Sequence, residues 1–160
     1  MSYEYSLRGR FPYADVESET VAKAAIVLGL PLTVSRDGAP QVSSDGLTVY
    51  ASEPEDADET AEVAERLGFE WNVSVIFSLW NRSDPARAVR VEQDMLRVVV
   101  SFADRPDVRA VLLADDELIV LKIEDGHVVM NDGWNGGSAW PEVLTAVAGT
   151  YTSENLSPGR

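Results

Sequence analysis

The spacing of hydrophobic positions changes several times along the chain, and each change marks an element. In YEYSL, Tyr3, Tyr5 and Leu7 alternate with smaller or polar neighbours, which predicts a strand over residues 2–8. From residue 15 the spacing lengthens. Val21, Ala24, Ala25 and Leu28 recur at helical intervals behind Asp15 or Ser18 as a cap, and Gly29 with Pro31 ends the run. The stretch LTVSRDGAPQVSSDGLTVYAS returns to strand character near 32–35 and more firmly at 46–51. Turns at Asp37-Gly38 and Asp45-Gly46 between them predict an antiparallel pair. EWNVSVIFSLW is the clearest strand: Trp71, Val73, Val75, Phe77 and Leu79 share one parity, and Asn72, Ser74 and Ser78 the other. Trp80 has the parity opposite to Trp71, so one of these two indoles faces away from the main core.

A long helix is predicted over residues 84–103, with Asp84 as cap and Pro85 in its first turn. Its apolar stripe runs through Ala88, Val91, Met95, Val98, Val99 and Phe102, and Val89, Leu96 and Val100 widen it. Arg87, Arg90 and Arg97 leave on the narrow remaining face. From residue 108, VRAVLLA, LIVLKI and HVVMND, separated by the turns DDE and EDG, read as a three-strand antiparallel meander. NDGWNGGSAW is then an irregular loop before a short helix at about 141–148. The pattern predicts one α+β domain over residues 1–151. Its sheet is largely antiparallel, ends in the meander and carries helices mainly on one face. Residues 152–160, TSENLSPGR, are expected to be a frayed tail.

Charge adds an asymmetry to this frame. The net charge is −14, and residues 53–66, EPEDADETAEVAER, hold seven carboxylates and one arginine. Wound as a helix, this run turns Ala57, Ala61, Ala64 and Leu67 inward and Glu55, Asp58, Glu59, Glu62 and Glu65 outward. A second acidic surface is expected along the meander edge, from Asp115, Asp116 and Glu117 to Glu124 and Asp125. Such a surface repels nucleic acid and anionic lipid and attracts basic partners.

The candidate chemistry is sparse. The absence of cysteine excludes thiolate sites and cysteine nucleophiles, a single histidine argues against a transition-metal site, and no metal or other cofactor is expected. No phosphate-binding glycine loop, zinc helix or nucleophile elbow occurs. His127, with Asp125 and Ser138, is a triad only on paper, because nothing places a serine on an elbow. The carboxylates match no calcium-loop spacing. The N-terminus has no apolar leader segment and no run is long enough to span a membrane, so a cytoplasmic bacterial protein is expected. Trp134 and Trp140 flank a glycine-rich loop, where they either cap the core or present aromatic anchors to a partner.

The order of these features resembles the SitI-type immunity proteins. The likeness runs through the opening MSYEYSL, then GLTVYAS, LGFEWNVSVIFSLW, MLRVVVSFA and VLLADDELIVLKIEDGHVVMND, closing on Trp134. The resemblance implies a small non-enzymatic protein that protects its cell by binding a cognate toxin delivered by contact. It brings no residue roles with it. Together with the charge it makes Glu55, Asp58, Glu59, Glu62, Glu65, Asp115, Asp116, Glu117 and Trp134 the candidate partner-binding residues, and a cationic, nuclease-like toxin the candidate partner. Two other readings stand beside it. One is a small-molecule-binding or enzymatic domain with a pocket near NDGWNGG; the other is an oligomeric scaffold.

Overall fold

The computed structural model describes residues 3–56, 58, 65, 67–80, 84–115, 117–134 and 151–156. In it the chain is α+β. The first strand, β1 (Tyr3–Arg10), is followed by helix α1 (Val16–Leu28) and by β2 (Thr33–Val34), β3 (Pro40–Ser44), β4 (Leu47–Ser52) and β5 (Val73–Leu79). Helix α2 (Pro85–Ser101) comes next and tightens into a 3-10 turn at Phe102–Asp104. The chain then forms β6 (Arg109–Ala114), β7 (Leu118–Glu124), β8 (His127–Asn131) and β9 (Thr152–Glu154). The strands make one nine-stranded sheet in the order β2-β3-β4-β5-β1-β6-β7-β8-β9. All pairings are antiparallel except that of β8 with β9.

The helices begin and end where the sequence chemistry places them. Asp15 caps α1 by accepting from the Ser18 N–H, and the Glu19 carboxylate accepts from the Asp15 N–H at 2.8 Å, so donors left open by the first turn are satisfied locally. At the other end Gly29 takes the left-handed conformation (φ 66°). Its N–H reaches the Ile26 carbonyl and that of Leu30 reaches Ala25, the Schellman arrangement. Asp84 caps α2 by accepting from the Ala86 N–H at 3.0 Å, ahead of Pro85.

Period-2 alternation then builds the core. Leu7, pairing with Val75 on one side and Leu112 on the other, lies in a row that continues to Leu121 and Met130. These residues face α1 and α2, whose Val21, Ala24, Val91, Met95 and Val98 complete the same buried cluster. At about 1.5–3 kcal/mol for each large apolar side chain buried, this layer outweighs the surface ion pairs, whose individual contributions are about 0–1 kcal/mol. Gly9 sits where strands and aromatic meet most tightly. A Cβ there would stand 2.5 Å from the Phe11 ring, 2.8 Å from the Ala110 Cβ and 2.9 Å from the Arg109 carbonyl.

Three features differ from the sequence reading. Residues 32–35 and 46–51 do not pair with each other. PQVSS forms β3 between them, and each pairs with that strand instead. Only Val42 marks β3 as apolar, and its proline is tolerated because it is the first residue of the strand. Thr152–Glu154, expected within a frayed tail, lie parallel to Val129–Asn131 as an exposed edge strand. Finally, β7 carries a bulge: Leu112 pairs with Leu121 but Leu113 with Ile119, so Val120 is the extra residue and the alternation reverses beyond it. The loop 135–140, the helix expected at 141–148 and residues 157–160 lie outside the described residues.

Candidate binding surface

The strand registers sort the candidate acids by position. Leu47, Leu79 and Tyr3 share one end of the central strands, and Ser52, Ser74 and Arg8 lie toward the other. Glu55, which follows β4, is exposed, as are Asp58 and Glu65, whose backbone is helical; all three come after the Ser52 end of β4. Glu59 and Glu62 lie outside the described residues. Asp115 and Glu117 belong to the β6–β7 turn, at the Tyr3 end, where the Asp115 N–H donates to the Glu4 carbonyl at 3.2 Å. Asp115 adopts φ 52°, a left-handed conformation that aspartate tolerates in tight turns. Asp116 lies outside the described residues.

The acidic meander edge is therefore not one surface. Asp115 and Glu117 precede β7, whereas Glu124 is its last residue and Asp125 follows it, on the order of 20 Å away for a seven-residue strand. Glu124 is also screened, with its carboxylate 3.8 Å from Arg109 and 3.9 Å from Lys122. Glu4 and Asp115 enter no ion pair among the described residues.

Trp80 and Trp71 both lie outside the main core cluster, so the alternation that aligns Trp71 with Val73–Leu79 does not carry its indole into the core. Trp71 is buried with the Arg8 guanidinium 5.4 Å from its ring centroid, outside the main core cluster. Trp80 remains 37% exposed, and its Nε1–H donates to the Thr48 hydroxyl at 3.4 Å. The Thr48 hydroxyl in turn lies 3.1 Å from that of Ser43. Thr48, Ser78 and Glu4 are register neighbours on the sheet face turned away from the core cluster, and Tyr50, Ile76 and Ser6 form the next row. Burial and the negative charge of Glu4 push the Tyr50 hydroxyl above the usual tyrosine range, in that order of importance. The sequence shows that one indole faces outward, but not that it reaches Thr48, whose row across the sheet holds Glu4.

Trp134 is half-buried and packs against the core cluster, and its N–H donates to the Asn131 carbonyl at 3.0 Å. The capping role is the one this packing fits. A cleft of about 620 Å³ lies elsewhere, lined by Glu17, Ser35, Asp37, Gln41, Tyr50 and Glu53 among others. It opens near β2–β4, while Asn131 ends β8 and Trp134 follows it, near the opposite side of the sheet. Burial, followed by the neighbouring Glu53 charge, raises the Glu17 pKa above the ordinary glutamate value. The Ser35 hydroxyl holds the Asp37 carboxyl below its usual range.

His127 is exposed at the start of β8, opposite Glu124, and Ser138 lies outside the described residues. Among the described residues no group of three or more His, Asp or Glu side chains is arranged to hold a metal ion, and no helix is long and apolar enough to cross a membrane.

These features define a small acidic α+β protein whose described polar residues form surfaces and one acidic cleft. The chain belongs to the SitI3-like family, which matches residues 1–140 and is a family of SitI-type immunity proteins. No curated protein and no solved structure matches it.

Proposed function

We propose that this protein is an immunity protein that binds a cognate toxin and neutralises it by occupying a basic, nuclease-like surface, with no catalytic step of its own. Family membership over residues 1–140 carries the reading. The charge of −14 and the exposed Glu55, Asp58 and Glu65 support an acidic contribution to it. Glu59, Glu62, Asp115, Asp116, Glu117 and Trp134 belong to the same proposed set. A toxin that holds phosphates must be basic where it does so. An acidic partner approaches such a surface quickly, because opposite fields steer the encounter.

Co-expression with the product of the neighbouring reading frame tests the reading: cells should survive only when this protein is present. Death in its presence would sink the proposal. Replacing Glu55, Asp58 and Glu65 together by lysine should slow association about tenfold or more at low salt, an effect that fades as salt rises. An unchanged rate would remove these acids from the mechanism.

A second reading, a small-molecule site, draws support from the cleft between Glu17 and Glu53 rather than from the Asn131–Trp134 segment. Thermal shift with cationic metabolites such as polyamines checks it. No rise in melting temperature, or the same rise in a Glu53→Gln variant, would discard it.

A further inference from the structure

The sheet face turned away from α1 and α2 changes character across its width. Near β1, β5 and β6 it is closed: Ser6, Ser74, Val111 and Leu113 are buried. Toward β3 it opens, with Ser43 exposed and Thr48, Tyr50, Ile76 and Ser78 half-buried. One row runs straight across four strands as Ser43–Thr48–Ser78–Glu4, fixed by the β3–β4, β4–β5 and β5–β1 registers. Asp115 prolongs it through its hydrogen bond to the Glu4 carbonyl. At about 4.8 Å per strand the row is on the order of 19 Å long, a fair part of the width of a standard protein contact.

We propose that this open half of the sheet, anchored by Trp80 and Tyr50 and bounded by Glu4 and Asp115, is where the toxin docks, through a contact of aromatic and hydroxyl groups with a partner surface that has a basic rim. The inference rests on the immunity reading and adds the surface and the chemistry that surface selects.

Three observations converge on it. First, the aromatics are held in place before binding. The Trp80 indole is bonded to Thr48, and Tyr50 is flanked by Gln41 and Ile76 in register. Large aromatics already fixed lose little entropy on binding and dominate the energetics of protein contacts. Second, the row ends on two acids. Glu4 and Asp115 stand side by side, neither enters an ion pair among the described residues, and the chain as a whole carries −14. A basic rim on the partner is the complement that such a boundary accepts. Third, the exposed acids Glu55, Asp58 and Glu65 supply charge without an aromatic of this kind in their own run, EPEDADETAEVAER. Charge at a rim governs the rate of encounter more than the lifetime of the complex. The two regions therefore divide the work: the acidic run steers, and the Trp80 face holds.

The test uses the full-length protein and the purified product of the neighbouring reading frame, carrying an inactivating substitution. Trp80→Ala should raise Kd about thirtyfold, chiefly through faster dissociation. Ser43→Arg, at an exposed position that leaves the core untouched, should raise it at least about tenfold by placing a cation before a basic partner. Ile26→Ser, on the exposed outer side of α1 at 80% exposure, should leave it within about twofold. Circular dichroism on each variant separates lost binding from lost fold. If wild type binds and protects while Trp80→Ala and Ser43→Arg both bind as wild type does, this surface is wrong and the immunity reading stands. If wild type itself neither binds nor protects, the immunity reading fails and this inference falls with it.

Discussion

Glu17 shows how a single side chain records its surroundings. Its carboxyl is partly desolvated and faces Glu53, and both effects raise its pKa. A raised pKa means that the folded protein keeps this proton at pH values where the unfolded chain has released it. The group's unfavourable contribution is thus absent below the ordinary glutamate pKa of about 4.3. It grows as pH rises toward the folded value and is fully present above it. Glu17→Gln removes the charge while keeping a donor for Glu53. The variant should melt higher than wild type at pH 7, by the equivalent of about 1 kcal/mol or less given the solvent exposure. The advantage should vanish near pH 4. Thermal melts at the two pH values check this, and a variant equally stable or less stable at pH 7 would show that the two carboxyls do not oppose each other.

At the scale of elements, β9 is a short edge strand attached along one side, and Asn131 holds it. This buried asparagine donates to the Ile119 carbonyl at 2.7 Å beside the β7 bulge and accepts from the Gly133 and Leu156 N–H groups at 3.0 and 3.1 Å. Asn131→Ala leaves those groups without their partner, at a cost of about 1–3 kcal/mol. Amide exchange should accelerate first at Thr152–Glu154 and at Ile119, ahead of β1 and β5; uniform acceleration would mean that β9 is no separate unit.

The elements legible in the sequence are those whose apolar period and boundary residues agree. Asp15, Gly29, Asp84 and Pro85 frame the two helices, and alternation through Val73–Leu79 defines β5. β3 and β9 escaped because PQVSS has one apolar position and TSE has none, so pairing alone makes them strands. The acids Glu55, Asp58, Glu65, Asp115 and Glu117 were legible as exposed positions. Their division between two ends of the sheet was not, since that depends on register across strands distant in sequence. Glu4 beside Tyr50 has the same origin, across β5.

For the molecule as a whole, the decisive feature is the place of its first strand. β1 occupies the middle of the nine, joining β5 on one side and β6 on the other. Neither half of the sheet is complete without it, so its pairings close long stretches of chain, a trait that slows folding. It also enters the sheet at Tyr3, opposite Leu79 and next to Glu4, at the end where Trp80 and Asp115 stand. β9 is four places away along the sheet, about 19 Å at the usual strand spacing. A fusion partner or affinity tag joined ahead of Tyr3 therefore emerges beside the proposed docking face, whereas one joined after Leu156 leaves from the far edge. An N-terminal fusion should weaken toxin binding and protection, and a C-terminal fusion should preserve both; side-by-side affinity and survival measurements on the two fusions make the comparison. The choice of terminus for a tag, ordinarily one of convenience, is for this protein an experiment on its interface.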